Sequence, residues 1–134
     1  MLTIYRLKDD TKHISDVQIA TLSRKYNGIK QTHGLFGSPD WWTNIEKGLL
    51  RSYTLRGIIS SVYMASMNDW PEFEITTNDE KKERFTRETT PPALDSEYMV
   101  GRKVEIDYVW QQHKHKLPKT PLDHKVVIEI RSYD

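Results

Sequence analysis

The sequence predicts an α+β fold: a five-stranded antiparallel small barrel, or a strongly bent sheet, with one N-terminal helix. Two observations carry this. Five β-type segments follow one another in the second half, at about 50–66, 72–77, 82–88, 102–111 and 124–132. The first is long and holds Gly57 near its middle, as expected of a strand that kinks to close a small barrel. The N-terminal third, in contrast, carries start and stop signals for a helix. A single domain over residues 1–134 is expected, with 1–48 as a strand, helix and loop segment packed on a barrel of 49–134.

Leu2, Ile4 and Leu7 mark a short opening strand. Ser15 and Gln18 then have the spacing of a capping box, with Ile14 and Ile19 as its staple. Ile19, Leu22 and Tyr26 follow at near-helical spacing, Arg24 and Lys25 fall in the last turn, and Asn27-Gly28 supplies a stop. Beyond it, Ser38 or Asp40 can cap a short helical turn running from Trp41 to Lys47 before Gly48. Two adjacent tryptophans cannot both face inward from one turn, so at least one is expected on a rim. Gly34-Leu35-Phe36-Gly37 has the GxxG spacing of an RNA-clamping loop, but the flanking basic helices of that module are absent.

In the strands, the period of two assigns faces. Val104, Ile106, Tyr108 and Trp110 share an apolar face opposite Lys103, Glu105, Asp107, Val109 and Gln111. Val126, Ile128 and Ile130 share a face opposite Lys125, Glu129 and Arg131. Glu105 and Asp107 are therefore read as cross-strand partners of basic residues on a solvated face. Beyond Gly57 the first segment is apolar on both parities, as in a strand covered on both sides. The charged segment 82–88 reads as an edge strand protected against aggregation, with Phe73, Ile75 and Phe85 supplying the core face of the 72–88 hairpin.

Composition narrows the function classes. The net charge is +1, from 20 Lys/Arg and 19 Asp/Glu, so no global field draws the chain to nucleic acid or anionic lipid. There is no cysteine, which excludes disulfides, thiolate metal ligation and a cysteine nucleophile. No signal-peptide order and no membrane-length apolar run occur, and a cytoplasmic setting is expected. A Gly-x-Ser-x-Gly elbow, a phosphate-binding glycine loop and a His-Glu-x-x-His helix are all missing.

Three groups of residues are candidates for function. Trp41, Trp42 and Trp70 fall in turns and loops and would form an aromatic binding rim. Lys114, Lys116 and Lys119 make the 113–121 loop basic and would serve a nucleic-acid binder. His113, His115 and His124, with Asp123, could approach one another across the closing hairpin as a weak zinc-type set. The lysine charges oppose a dication there, so no metal and no cofactor is expected.

In strand count and kinked first strand, residues 50–132 resemble the oligonucleotide/oligosaccharide-binding (OB) barrel in architecture. They contain no motif specific to that family, and the link between the third and fourth strands is a proline-rich loop, Thr89 to Glu97, in place of a helix. The leading functional expectation is a non-enzymatic soluble binding module acting on another protein, of the inhibitor, immunity or assembly-factor type. The alternatives are a single-stranded nucleic-acid-binding OB-like barrel, and a small-ligand barrel or enzyme without a recognisable motif.

Overall fold

A computed structural model describes all of residues 1–134. Its strands are β1 (Leu2–Arg6), β2 (Ser52–Ala65), β3 (Trp70–Thr76), β4 (Lys82–Thr86), β5 (Lys103–Gln112) and β6 (Asp123–Tyr133), and its helices are α1 (Thr11–Leu22) and α2 (Pro39–Glu46). The strands form one six-stranded sheet in the order β1-β6-β5-β2-β3-β4. All five segments read as β-type are strands. The expected five-stranded antiparallel barrel or bent sheet is an antiparallel sheet with a sixth strand that is not closed into a barrel: β1 pairs antiparallel with β6 and leaves β1 and β4 as its edges. The charged β4 is thus an edge strand, as its composition required.

The chain divides into two compact units, each built from separated stretches of sequence. The first comprises Met1–Arg6, Thr54–Asp107 and Glu129–Asp134. Its core holds Ile4, Tyr5, Ile59, Phe73, Ile75, Val104, Ile106 and Ile130, all essentially inaccessible. Ile4 and Tyr5 are both buried although they are neighbours on a strand. The register of β1 against β6 shifts between Thr3 and Tyr5, and such a bulge turns consecutive side chains the same way. Phe73 packs on Tyr98 with ring centroids 4.7 Å apart, and the Tyr98 hydroxyl donates to the Glu88 carbonyl at 2.5 Å. Burial drives the Tyr98 phenol far above its ordinary pKa, so it is a permanent donor in this core.

Gly57 does not mark the irregularity of β2. The register shift against β3 lies between Ile59 and Ser61, where the Ser60 hydroxyl donates to the Glu74 carboxylate at 2.9 Å. Glycine is required at 57 for a different reason: a Cβ there would stand 2.9 Å from the Thr76 carbonyl oxygen of β3. Nor is β2 covered on both faces. Ile59 is buried, whereas Ile58 and Met64 are exposed.

The second unit comprises Leu7–Tyr53 and Tyr108–Ile128. Helix α1 starts earlier than the capping box predicted. Its cap is Asp10, whose carboxylate accepts from the His13 amide at 3.2 Å, while Ser15 lies exposed inside the helix and Gln18 donates to the Phe36 carbonyl at 2.9 Å. An aspartate side chain at the helix N-terminus, also favoured by the macrodipole, outcompetes a serine one turn later. Ile19 and Leu22 of α1, and Tyr26 beyond its end, are all exposed.

The helix ends at Leu22 and not at Asn27-Gly28. Gly28 instead makes a close approach to α1, where a Cβ would fall 2.5 Å from the Thr21 Cα. Thr21 fastens that approach by donating to the Val17 carbonyl at 2.7 Å and accepting the Ile29 amide at 3.0 Å. The other helix follows expectation at its start: Ser38 caps α2 and accepts from the Trp41 amide at 3.3 Å.

Strand β5 changes the parity of its buried positions. Val104 and Ile106 are buried in the first unit, whereas Val109 and Gln111 are buried in the second. Period-two reading assumes one core along a strand, and β5 serves two. Tyr108 and Trp110, expected on the apolar core face, are therefore on its open side.

Candidate functional site

The three tryptophans expected to form a rim differ in environment. Trp41 is 0% exposed; it packs on Phe36 with centroids 4.9 Å apart and planes tilted by 52°, and donates its indole N–H to the Gln111 side-chain oxygen at 3.2 Å. It is a core residue and offers no surface. Trp42 is half-buried, donates to the Gly37 carbonyl at 3.1 Å and lies under the Lys8 ammonium at 5.0 Å. Adjacent tryptophans thus face different ways, as one helical turn demands. Trp70 is 51% exposed at the start of β3, with its N–H on the Thr86 hydroxyl at 3.0 Å. Trp41 and Trp42 belong to the second unit and Trp70 to the first.

The basic loop has a structural task that its sequence did not reveal. The Lys114 ammonium donates to the carbonyls of Ala20, Thr21 and Ser23 at 3.1, 3.0 and 2.5 Å. These are acceptors at the C-terminal end of α1, where a helix leaves its last carbonyls unpaired and its dipole favours a cation. Lys114 is therefore turned inward and not toward a phosphate backbone. The amide of Lys114 also donates to the Gly28 carbonyl at 2.8 Å, and Asn27 binds the backbone of His115 through both its amide oxygen and its amide nitrogen. Lys116 donates to the carbonyls of Leu117 and Thr120 within its own loop.

His113 and His124 are brought together by the closing hairpin, with ring centroids 4.0 Å apart and planes 7° from parallel. No group of three or more His, Cys, Asp or Glu residues is placed to hold a metal ion. Burial, and secondarily the charge His113 can carry, pulls the His124 pKa down to about 4. Its Nδ1 is buried without a hydrogen-bond partner.

On the first unit, the expected cross-strand pairing of Glu105 and Asp107 is present and more extensive than a pair. Arg131 reaches Asp107 at 2.6 Å, Glu129 at 2.5 Å and Glu105 at 3.6 Å, while Arg56 binds Glu105 at 2.5 Å and Arg6 binds Glu129 at 2.9 Å. The Tyr133 hydroxyl and Arg56 hold the Glu105 carboxyl below its usual range. Desolvation works against the Asp107 carboxylate, but hydrogen bonds from Arg131 and Thr54 outweigh it and lower its pKa. Glu105 and Asp107 are held ionised by the hydroxyls and cations around them, which suits a cross-strand lattice.

Sequence reasoning missed an exposed aromatic strip on the second unit. Tyr53 at the start of β2 stacks on Tyr108 of β5 with centroids 5.6 Å apart and planes 22° apart, and Trp110 meets Tyr108 edge-on at 5.9 Å. Trp110 is 44% and Tyr53 37% exposed. The Lys125 ammonium stands 5.3 Å from the Tyr108 ring and 5.2 Å from the Trp110 ring, and the Arg51 guanidinium stands 4.9 Å from Tyr53. The missed signal was the parity change after Ile106, which Val109 and Gln111 mark only once their burial is seen. The charge of the two units also differs: the second holds 11 Lys/Arg against 6 Asp/Glu, and the first 9 against 13.

Comparison with known families gives a match that spans nearly the whole chain. The family described as immunity protein RhsI2 matches residues 1–131. The chain belongs to this immunity-protein family. Membership supports an immunity-type, protein-binding function. No curated protein matches the sequence. No helix of this RhsI2-family chain is long and apolar enough to cross a membrane.

Proposed function

We propose that this protein neutralises a protein toxin by binding it directly, as a stoichiometric inhibitor and without chemistry of its own. The observation that carries the reading is the family match over residues 1–131. The open aromatic surface supports it, because large exposed aromatics on ordered strands are the usual raw material of a protein interface. So does the state of the acidic residues on the sheet, which are fixed in ion pairs. Of the three tryptophans expected to bind, Trp42 and Trp70 retain solvent-facing area and are proposed as secondary contacts. The cytoplasmic setting expected from the sequence is retained here, since an inhibitor of this kind must meet its toxin where the toxin acts.

The test is co-expression of this chain with candidate protein toxins, each scored for growth. Growth is restored, and the two purify as a complex of fixed stoichiometry. Restored growth with sub-stoichiometric amounts and no complex would mean that the protein modifies its target, and would overturn the binding mechanism.

A further inference from the structure

We infer that the strip of Tyr53, Tyr108 and Trp110 is the surface on which the toxin docks, and that the toxin face it takes is acidic. This rests on the immunity reading above and adds the site and the partner's chemistry.

The strip has the composition of a binding hot spot, since Trp, Tyr and Arg dominate such sites. It is also ordered before any partner arrives. Tyr53 and Tyr108 stack, Trp110 abuts Tyr108 edge-on, and Lys125 spans the last two rings. Side chains fixed in this way lose little rotamer freedom on docking, and that loss is a main cost of association. The strands that carry them are anchored from beneath, because Val109 and Gln111 on the opposite parity are buried.

Charge selects the occupant. The cations on the strip are Arg51 and Lys125, each over an aromatic face. They sit on a unit with 11 basic and 6 acidic residues. Carboxylates on a partner can approach Arg51 and Lys125 while apolar atoms cover the rings, whereas a basic partner would be repelled. The other open apolar residues, Ile19 and Leu22 on α1 and Tyr26 beyond its end, have no comparable ring lattice. A single-stranded nucleic acid would use the rings as stacking platforms but needs a basic track beside them, and Lys114 is turned onto the end of α1.

The experiment is calorimetric titration of the full chain and its variants with the toxin domain whose toxicity the chain relieves on co-expression, at low and physiological salt, with a melting curve for every variant. Trp110→Ala is expected to weaken binding on the order of 30-fold at an unchanged midpoint. Lys125→Glu should weaken it about 10-fold and flatten the salt dependence. Leu22→Ser is expected to bind as the parent does. If Trp110→Ala lowers the midpoint, Lys125→Glu carries the test alone. Parent binding with both strip variants unaffected overturns the docking site, as does a loss confined to Leu22→Ser. Tighter binding by Lys125→Glu overturns the acidic partner. An oligo-dT strand that binds the parent at physiological salt and loses binding in Trp110→Ala assigns the strip to nucleic acid and overturns the proposal. Failure of the parent to bind the toxin domain at all overturns the immunity reading and the docking site together.

Discussion

His113 and His124 face one another as parallel rings 4.0 Å apart, and the Nδ1 of His124 is buried without a hydrogen-bond partner. Enclosure without a partner for the His124 Nδ1 makes its charged form unfavourable in the fold. Its pKa falls from 6.5 to about 4, chiefly by burial and then by the charge on His113. Above pH 6.5 the ring is neutral whether the chain is folded or not, so it has no effect on stability. Between pH 6.5 and 4 the unfolded chain takes up a proton that the fold resists, and stability drops as pH falls. Below about pH 4 the loss levels off.

Solvent reaches part of this ring, so the loss is expected to be about 2 kcal/mol, less than the full shift implies. His124→Phe keeps a flat ring against His113 but cannot be protonated. Denaturant unfolding at pH 7.5 and pH 4.5 should show the variant losing less stability than the parent. Equal losses would place the acid sensitivity elsewhere.

Lys114→Met removes an ammonium that serves three carbonyls and leaves an apolar chain of similar length. Hydrogen bonds to a charged group contribute more than neutral ones, and the expected cost is about 2 kcal/mol in the denaturation midpoint. Lys116→Met, in an exposed position, should change stability by no more than about 0.5 kcal/mol. Similar effects from the two would show that the contacts of Lys114 with α1 carry no special weight.

The start of α1 gives a second paired comparison. Asp10→Ala should cost about 1 kcal/mol through the lost cap. Ser15→Ala, one turn into the helix and exposed, should fall within about 0.5 kcal/mol of the parent. A larger effect at Ser15 would restore the capping box as the true start.

What was legible in the sequence followed from periodicity over short distances. All five β segments, the Ser38 cap, the core face of Phe73, Ile75 and Phe85, and the pairing of Glu105 and Asp107 with basic neighbours needed only local pattern and cross-strand proximity. The misreadings share a different cause. The spacing of Ile19, Leu22 and Tyr26 does not say which side of α1 packs, and the helix presents its Thr21 face inward, where Gly28 closes on it. Lys114 and Gly28 are understood only through each other's distant neighbours. The aromatic strip was hidden because Tyr108 and Trp110 continue the alternation of Val104 and Ile106 without a break in sequence, although the buried parity changes.

The clasp on α1 bears on the order of events during synthesis. Its three hydrogen bonds from Lys114 span 94, 93 and 91 residues of chain. For most of translation the last turn of this early helix has no ammonium to meet it, and the Ser23 amide is left as the local donor to the carbonyls of Ile19 and Ala20. Contacts of such long sequence separation form late, after much loop-closure entropy has been lost. A nascent chain halted anywhere before Lys114 therefore carries α1 with an unfinished end. Maturation of the second unit waits on the 113–122 loop, which is synthesised after β2, β3 and β4.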